Sequence, residues 1–169
     1  MFTRLDLVVN NVPENGTFLE LGVGDGEFLK DVVLARPDIK YLGIDMWEDG
    51  SRLKRCATTI YTFGLAPSVK LLKSKFKDAL KHPLVVDQQF DFIYIDGYAH
   101  TGQDNGETLQ DWYCKLVNGG MFAGHDYDSQ YQATIDAVNK FYFLRPPDSV
   151  SELKLTEEAT LKSWYFRKL

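Results

Sequence analysis

Short apolar runs alternate along the chain with longer segments in which apolar and polar residues are mixed. Each run is rich in aliphatic and aromatic residues, and most are bounded by Gly or Asp. Buried strands of a parallel sheet have this character, because both faces of such a sheet are covered. The runs therefore predict strands over Thr17–Leu21, Tyr41–Asp45, Val69–Lys73, Phe90–Asp96 and Met121–Gly124.

The segments between these runs are predicted to be helices. In the last of them, Ile135, Val138 and Tyr142 recur at helical spacing. The predicted helices cover Glu27–Ala35, Ser51–Phe63, Phe76–Lys81, Glu107–Leu116 and Ser129–Phe143. Alternation of strands and helices requires right-handed crossovers and places helices on both faces of the sheet. We therefore expect an α/β fold with a doubly wound, mostly parallel sheet, as in Rossmann-like proteins.

The two ends of the chain depart from this alternation. Glu152–Leu155 and Trp164–Arg167 predict two strands with only a short connector, so one of them is expected to run antiparallel at the edge of the sheet. Leu5–Val9 predicts about half a helix before the first strand. No repeat or linker divides the sequence, and residues 1–169 are expected to form one domain.

Composition and charge argue against several classes of protein, including nucleic-acid-binding, secreted and membrane proteins. Hydrophobic residues make up 44% and charged residues 25%, and the formal net charge is −5. An acidic balance argues against a protein that follows nucleic-acid phosphates. Cys56 and Cys114 stand apart without a ligand pattern, so free thiols in a reducing compartment are expected. The sequence shows no signal peptide and no apolar run of bilayer length, which predicts a cytoplasmic protein without membrane contact.

A glycine-rich turn follows the first predicted strand, in the sequence FLELGVGDGEFL at residues 18–29. Glycines allow a ligand to approach the backbone, and the helix that follows presents unpaired N–H groups. A dinucleotide-binding turn of the form GxGxxG would need glycine at position 27, where Glu27 would repel a diphosphate. Glu20, before the first glycine, suits a cationic ligand. The turn therefore favours S-adenosylmethionine over a nicotinamide dinucleotide, and a tight turn without a ligand is the alternative.

The second predicted strand ends in the sequence YLGIDMW, which places Asp45 where a ribose would lie. A carboxylate there accepts hydrogen bonds from both ribose hydroxyls, in nicotinamide enzymes as well. Met46 is expected to pack against an adenine face or to fill the core. We expect replacement of Asp45 by Ala to remove the ribose acceptors and to leave the glycine turn intact.

With these residues identified, the chain resembles the class I S-adenosylmethionine-dependent methyltransferases. FLELGVGDGEFL is similar to the first motif of that superfamily, and YLGIDMW to its second. FDFIYIDGYAH, with LVNGGMFAGHDY after it, resembles a branch whose fourth strand ends in Asp-Gly and whose fifth ends in Gly-His-Asp-Tyr. In that branch the histidine follows Asp-Gly one residue sooner than His100 does, so we expect a rearranged loop here.

The resemblance implies roles for residues at the strand ends. It implies that Glu20, Gly22 and Gly24 contact the amino-acid part of S-adenosylmethionine and that Asp45 holds its ribose. Met46 and Ser74 would lie near the adenine. The cofactor-binding residues expected in this way are Glu20, Gly22, Val23, Gly24, Asp45, Met46, Ser74 and Asp96.

Acids and histidines gather after the fourth and fifth predicted strands, whose carboxyl ends open onto the same crevice as the glycine turn. Asp96, His125 and Asp126 offer oxygen and imidazole ligands for a divalent ion such as magnesium or manganese. A metal there would hold a substrate hydroxyl and favour its oxyanion. Alternatively, His100 or His125 acts as a general base without a metal. A purely structural turn at His125 and Asp126 is the third possibility.

Methyl transfer from S-adenosylmethionine to an oxygen of an unidentified acceptor is the leading hypothesis, with nitrogen as the less favoured target. A non-catalytic nucleotide- or cofactor-binding protein is the main alternative. A nicotinamide-dependent oxidoreductase is a further one, and Glu27 argues against it. The chain starts almost at the first strand and lacks the N-terminal cover of many methyltransferases. We therefore expect a large acceptor or a partner subunit to close the site, and a homodimer is favoured.

Overall fold

A single seven-stranded sheet runs through the computed structural model, which describes residues 1–169. The strand order is β3-β2-β1-β4-β5-β7-β6, and the first five of these strands are mutually parallel. The strands are β1 (Thr17–Leu21), β2 (Lys40–Asp45), β3 (Val69–Lys73), β4 (Phe90–Ile95), β5 (Leu116–Gly124), β6 (Lys154–Leu155) and β7 (Trp164–Arg167). The predicted doubly wound, mostly parallel sheet is confirmed.

Helices cover both faces of the sheet. They are α1 (Arg4–Asn11), α2 (Glu27–Ala35), α3 (Gly50–Thr62), α4 (Phe76–Ala79), the single turn α5 (Gly102–Asn105), α6 (Glu107–Tyr113) and α7 (Gln132–Phe143). Because side chains alternate along a strand, Leu19 packs into the core shared with α4, α6 and α7, while Phe18 packs into the core shared with α1, α2 and α3. None of the helices has the length and apolarity that crossing a membrane would require.

The strand β5 begins earlier than its sequence suggests. The sequence predicts a helix that ends at Leu116, but the helix ends at Tyr113 and Leu116 is the first residue of β5. The reason is pairing with β4, since the Phe90 N–H donates to the Lys115 carbonyl at 2.8 Å. The register between the two strands then shifts before Phe92 pairs with Met121. The predicted strand from Met121 to Gly124 is therefore the second half of a longer one.

The carboxyl-terminal strands form the antiparallel part of the sheet, as expected. The antiparallel strand β7 lies between β5 and β6, so the two-residue β6 is the outermost strand on this side. Its pairing joins Lys154 to Tyr165 and Leu155 to Trp164. The predicted strand from Glu152 to Leu155 is thus shorter than its sequence suggests.

The first helix is longer than the half helix that the sequence predicts. Thr3 caps it, because its side chain accepts from the Asp6 N–H while the Asp6 carboxylate accepts from the Thr3 N–H. The chain before the helix is fastened to the segment between β6 and β7, where the Phe2 N–H donates to Glu157 at 2.7 Å. This anchorage brings the first turn of α1 to the carboxyl edge of the sheet.

Candidate cofactor-binding and catalytic site

The glycine turn after β1 is pressed against the end of β4. Gly22 has a φ of +101°, and a Cβ built there would lie 2.1 Å from the carbonyl oxygen of Asp96. No residue with a side chain fits that space, and the conformation itself disfavours one. The turn leads directly into α2, whose first N–H groups face the same region. Glycine at position 22 therefore allows the turn to pack closely against the end of β4.

A cleft of about 270 Å³ opens above the turn at the carboxyl edge of the sheet. Its lining includes six of the eight predicted cofactor-binding residues, namely Glu20, Gly22, Val23, Gly24, Asp45 and Asp96. The remainder of the lining consists of Arg4, Asp25, Glu27, Phe28 and Arg52. Another cleft, of about 350 Å³, lies at the opposite edge among residues such as Lys40 and Pro83, away from these groups. Ligands of open α/β sheets bind at the carboxyl edge.

Glu20 is the most buried acid of the cleft, with 1% of its surface exposed. It lies in register between Gly43 of β2 and Tyr94 of β4, and its Oε2 atom has no hydrogen-bond partner. Burial raises the pKa of Glu20 well above its ordinary value, Asp96 raises it further, and Arg4 opposes the rise. A buried carboxylate oxygen without a partner is costly. A cationic group bound in the cleft would supply that partner.

Asp45 holds the glycine turn as well as facing the cleft. Its Oδ2 atom accepts from the Gly24 N–H at 2.8 Å, and its Oδ1 atom accepts from the Trp47 N–H at 2.7 Å. The Trp47 indole N–H in turn donates to the Gly24 carbonyl at 2.8 Å. The expectation that Asp45 could be removed with the turn intact is therefore wrong. Each carboxylate oxygen keeps a second lone pair for a ligand hydroxyl.

Asp96, His125 and Asp126 meet at the ends of β4 and β5, because these strands are neighbours and parallel. The His125 Nδ1 atom lies 3.1 Å from Asp126 Oδ1 and 3.6 Å from Asp96 Oδ1. One ligand atom of each residue lies within 4.8 Å of those of the other two, and all three side chains are half-buried. The predicted convergence of these residues is confirmed.

The charge of His125 follows from this arrangement. Burial lowers the pKa of the imidazole, but the hydrogen bonds and charges of Asp126 and Asp96 outweigh it and raise the pKa to about 9. At neutral pH the ring is consequently protonated, and it neutralises part of the acidic cluster. A protonated imidazole cannot accept a proton, so a base role for His125 requires that its proton first be displaced.

The sequence profile of a family described as a methyltransferase domain matches residues 19–127, which is nearly two thirds of the chain. The match spans the glycine turn, Asp45, and the cluster of Asp96, His125 and Asp126. The chain belongs to this methyltransferase family. Membership confirms the resemblance to the class I S-adenosylmethionine-dependent methyltransferases. No curated protein sequence matches the chain.

Solved methyltransferase structures share the fold over almost the whole chain. A proposed rRNA methylase from Clostridium thermocellum is 15% identical, with 98% of this chain and 95% of that chain covered and a TM-score of 0.78. An O-methyltransferase from Bacillus cereus in complex with S-adenosylhomocysteine is 16% identical. The match covers 98% of this chain and 78% of that chain, with a TM-score of 0.77. An rRNA methylase from Streptococcus thermophilus is 16% identical, with coverages of 98% and 93% and a TM-score of 0.74. At these identities the likeness shows the fold.

Two predicted cofactor residues of this methyltransferase lie beside the cleft and do not line it. Met46 follows β2 and is half-buried. Ser74 follows β3, and its backbone N–H donates to the Asp45 carbonyl at 2.9 Å, which places it next to the end of β2. Its hydroxyl donates to the Lys75 carbonyl at 2.9 Å. The roles of Met46 and Ser74 toward an adenine ring stay predictions.

His100 does not join the cluster of Asp96, His125 and Asp126. It lies on a single 3₁₀ turn over Ala99–Thr101, is exposed, and has its ring centroid 5.0 Å from that of Tyr131. In the loop before it, Tyr98 has a φ of +59°. The expected rearrangement of this loop relative to the family branch stays a prediction. Without a carboxylate partner, His100 lacks the orienting group that His125 has, and its proposed role as a base stays a prediction.

Arg4 is one of the cleft residues that the sequence did not reveal; the others are Asp25, Phe28 and Arg52. The guanidinium carbon of Arg4 lies 4.4 Å from the centroid of the Phe28 ring, and its Nη1 atom lies 3.4 Å from Asp96 Oδ2. Burial lowers the pKa of Arg4, but interactions with Tyr94, Asp96 and Glu20 outweigh it and raise the pKa above the ordinary value. The signal available in the sequence was the capping box at Thr3 and Asp6, which places Arg4 in the first turn of a helix.

Proposed function

We propose that this protein transfers a methyl group from S-adenosylmethionine to an oxygen atom of its acceptor. One observation carries the proposal: the cleft with buried Glu20 and with Asp45 is bordered by Asp96, which also belongs to the cluster with His125 and Asp126. Groups suited to the donor and groups suited to an acceptor hydroxyl are thereby adjacent. Adjacent placement of two reactants is the main contribution that a methyltransferase makes to its reaction.

The donor side of the cleft matches the chemistry of S-adenosylmethionine. The bound cofactor supplies an electrophilic methyl group on a positively charged sulfur. Glu20 would accept from its ammonium group and lose the penalty of an unpartnered buried carboxylate. Asp45, already oriented by the Gly24 and Trp47 N–H groups, would accept from the ribose hydroxyls. The backbone from Gly22 to Gly24 lines the cleft and would lie against the amino-acid chain.

The acceptor side fits a divalent metal ion. Asp96, His125 and Asp126 form a set of two carboxylates and one imidazole, which suits manganese, iron or zinc as well as magnesium. His125 would release its proton on holding the ion, and the bound ion would supply a Lewis acid that favours the ionised form of an acceptor hydroxyl. The three side chains would hold the ion, and Asp96 would connect this group of ligands to the donor cleft.

An oxygen acceptor is favoured over nitrogen because of this set of side chains. A hydroxyl must lose its proton to become a good nucleophile, whereas a neutral amine already has a free lone pair. Carboxylates with a hard metal ion bind and ionise oxygen preferentially. The sequence also lacks the Asp-Pro-Pro-Tyr and Asn-Pro-Pro-Tyr motifs of amino-methylating nucleic-acid enzymes.

The proposal is tested with S-adenosylmethionine carrying an isotope-labelled methyl group and two acceptor pools, one of hydroxyl compounds and one of amines. We expect label in the hydroxyl pool, loss of transfer with EDTA or in the Asp126→Asn variant, and recovery in EDTA-treated wild type after excess Mn²⁺. The His82→Gln variant, altered outside the cleft, serves as the control and keeps its activity. Label in the amine pool alone would contradict the oxygen acceptor. Transfer that is unaffected by EDTA would contradict the role of a metal ion.

A further inference from the structure

The donor cleft contains a cation as well as its acids. Arg4 and Glu20 line the same cleft, and the Nη1 atom of Arg4 lies 3.4 Å from Asp96 Oδ2, which lines it as well. The side chain of Arg4 is 31% exposed and keeps its guanidinium within reach of solvent in the cleft. A basic and an acidic side chain therefore face one small volume.

Arg4 is held in place by contacts on several sides. Its backbone N–H donates to a carboxylate oxygen of Glu158, in the segment between β6 and β7. Phe28 of α2 packs beneath the guanidinium at 4.4 Å. The capping box of α1 fixes the turn on which Arg4 lies. A long side chain that is oriented in this way loses less entropy on binding a ligand.

The guanidinium of Arg4 has N–H groups available to a ligand. Its ion pair joins the Nη1 atom to Asp96 Oδ2 at 3.4 Å, which is long for a charge-assisted hydrogen bond. A guanidinium carries five N–H groups in a planar fork, a geometry that matches a carboxylate with two parallel hydrogen bonds. An anionic group in the cleft would thus find a better acceptor position than Asp96 occupies.

We propose that Arg4 binds the α-carboxylate of the amino-acid part of the cofactor, while Glu20 binds its α-ammonium group. The inference rests on the proposed function, because it takes S-adenosylmethionine as the occupant of the cleft. The amino-acid part is a zwitterion, and the pair of Arg4 and Glu20 has the complementary charges. Arg4 thereby makes α1 part of the cofactor site.

Arg52 is the competing cation of the cleft. Its side chain is 57% exposed, and its Nε atom is paired with Asp25 Oδ1 at 3.0 Å. Asp25 also pairs with Arg55 at 3.0 Å, so these three residues form an exposed network at the start of α3. The ion pair of Arg4 is longer and therefore weaker than that of Arg52, and Arg4 is the more buried of the two. Arg4 is therefore the better group to bind a carboxylate.

The test compares S-adenosylmethionine with decarboxylated S-adenosylmethionine, which keeps the ammonium and sulfonium groups and lacks the carboxylate. We expect the wild-type protein to bind the complete cofactor about 10- to 100-fold more tightly, the range of a charge-assisted interaction. The Arg4→Gln variant should bind the two compounds with equal affinity. The Arg4→Lys variant should keep part of the preference, because it retains the charge without the fork. Isothermal titration calorimetry measures the affinity of each protein for each compound.

The Arg52→Gln variant is the matched control, and circular dichroism checks that α1 is intact in each Arg4 variant. Equal binding of the two compounds by the wild type would overturn the inference. A preference that survives in folded Arg4→Gln and disappears in Arg52→Gln would overturn it as well, in favour of Arg52. If the wild type binds neither compound, the proposed function itself fails, and this inference fails with it.

Discussion

The cleft on the donor side and the cluster of Asp96, His125 and Asp126 beside it, on the acceptor side, hold their polar groups in different ways. At the ends of β1 and β2, backbone groups hold the side chains, as when Gly24 and Trp47 both donate to Asp45. At the ends of β4 and β5, charged side chains hold one another, as in the contacts of His125 with Asp96 and Asp126. The donor side is therefore fixed by the fold, whereas the acceptor side depends on the protonation and the ligands of its own residues.

Because of this difference, mutations on the donor side and on the acceptor side should have different effects on stability. A change on the donor side disturbs the turn and with it the stability of the protein. A change on the acceptor side alters charge, and because the side chains there are half-buried, the backbone can remain in place. Four substitutions test this contrast, in descending order of the effect we expect.

The largest effect is expected from Gly22→Ala. The φ of +101° and the approach of the new Cβ to the Asp96 carbonyl oppose any side chain, so the free energy of unfolding should fall by roughly 3 kcal/mol. Urea unfolding measures the change. Gly50→Ala, where a Cβ meets no atom within 4 Å, is the control and should stay within about 0.5 kcal/mol of wild type. Equal stability of the two variants would contradict the claim that the fold fixes the donor side.

The next effect is expected from Asp45→Ala, which removes acceptors from two backbone N–H groups and from the ribose. S-Adenosylhomocysteine should bind more weakly by about 1.5–3 kcal/mol, and the free energy of unfolding should fall by about 1 kcal/mol. Calorimetry and urea unfolding give the two values. Asp136→Ala, on the exposed face of α7, should change neither. Unchanged affinity in a folded Asp45→Ala variant would remove Asp45 from the site.

The acceptor side gives the contrasting result. Asp126→Asn should weaken Mn²⁺ binding by about tenfold or more while S-adenosylhomocysteine affinity and unfolding stay close to wild type. Electron paramagnetic resonance counts free Mn²⁺ at each concentration. If Mn²⁺ binds neither the wild type nor the variant, the cluster is not a metal site. A large loss of stability in Asp126→Asn would show that the acceptor cluster stabilises the fold as the donor side does.

The smallest effect is a change in pH dependence at Glu20. Its pKa is raised in the folded protein, so above the ordinary pKa the unfolded chain releases this proton first, and stability falls as pH rises toward the raised value. The slope for one proton is at most about 1.4 kcal/mol per pH unit. Unfolding of Glu20→Gln across pH should lack this decline. A parallel decline in wild type and variant would assign it to another group.

Much of the donor side could be predicted because its chemistry is local in sequence. Glu20, Gly22 and Gly24 lie on one strand and one turn, and Asp45 ends the next apolar run. The convergence of Asp96 with His125 followed from the parallel order of the strands. In each case the residue type, its spacing and the direction of a strand were sufficient.

The remainder depends on contacts between distant parts of the chain. Arg4 reaches the cleft because Glu158 fastens the start of α1, and no local pattern couples positions so far apart. The backbone conformation of the loop after β4 could not be predicted either. Gln103 and Asp104 have φ values of +56° each, and Gln103 is fully buried, so packing decides their conformation against their own preference.

The central claim, a cleft for S-adenosylmethionine, is tested most directly by thermal unfolding of the wild-type protein with S-adenosylhomocysteine or NAD. At a hundred times its dissociation constant a ligand adds about 2.7 kcal/mol of stability, which shifts the midpoint by several degrees. We predict a rise in the midpoint with S-adenosylhomocysteine and no change with NAD. A shift with NAD and none with S-adenosylhomocysteine would contradict the account.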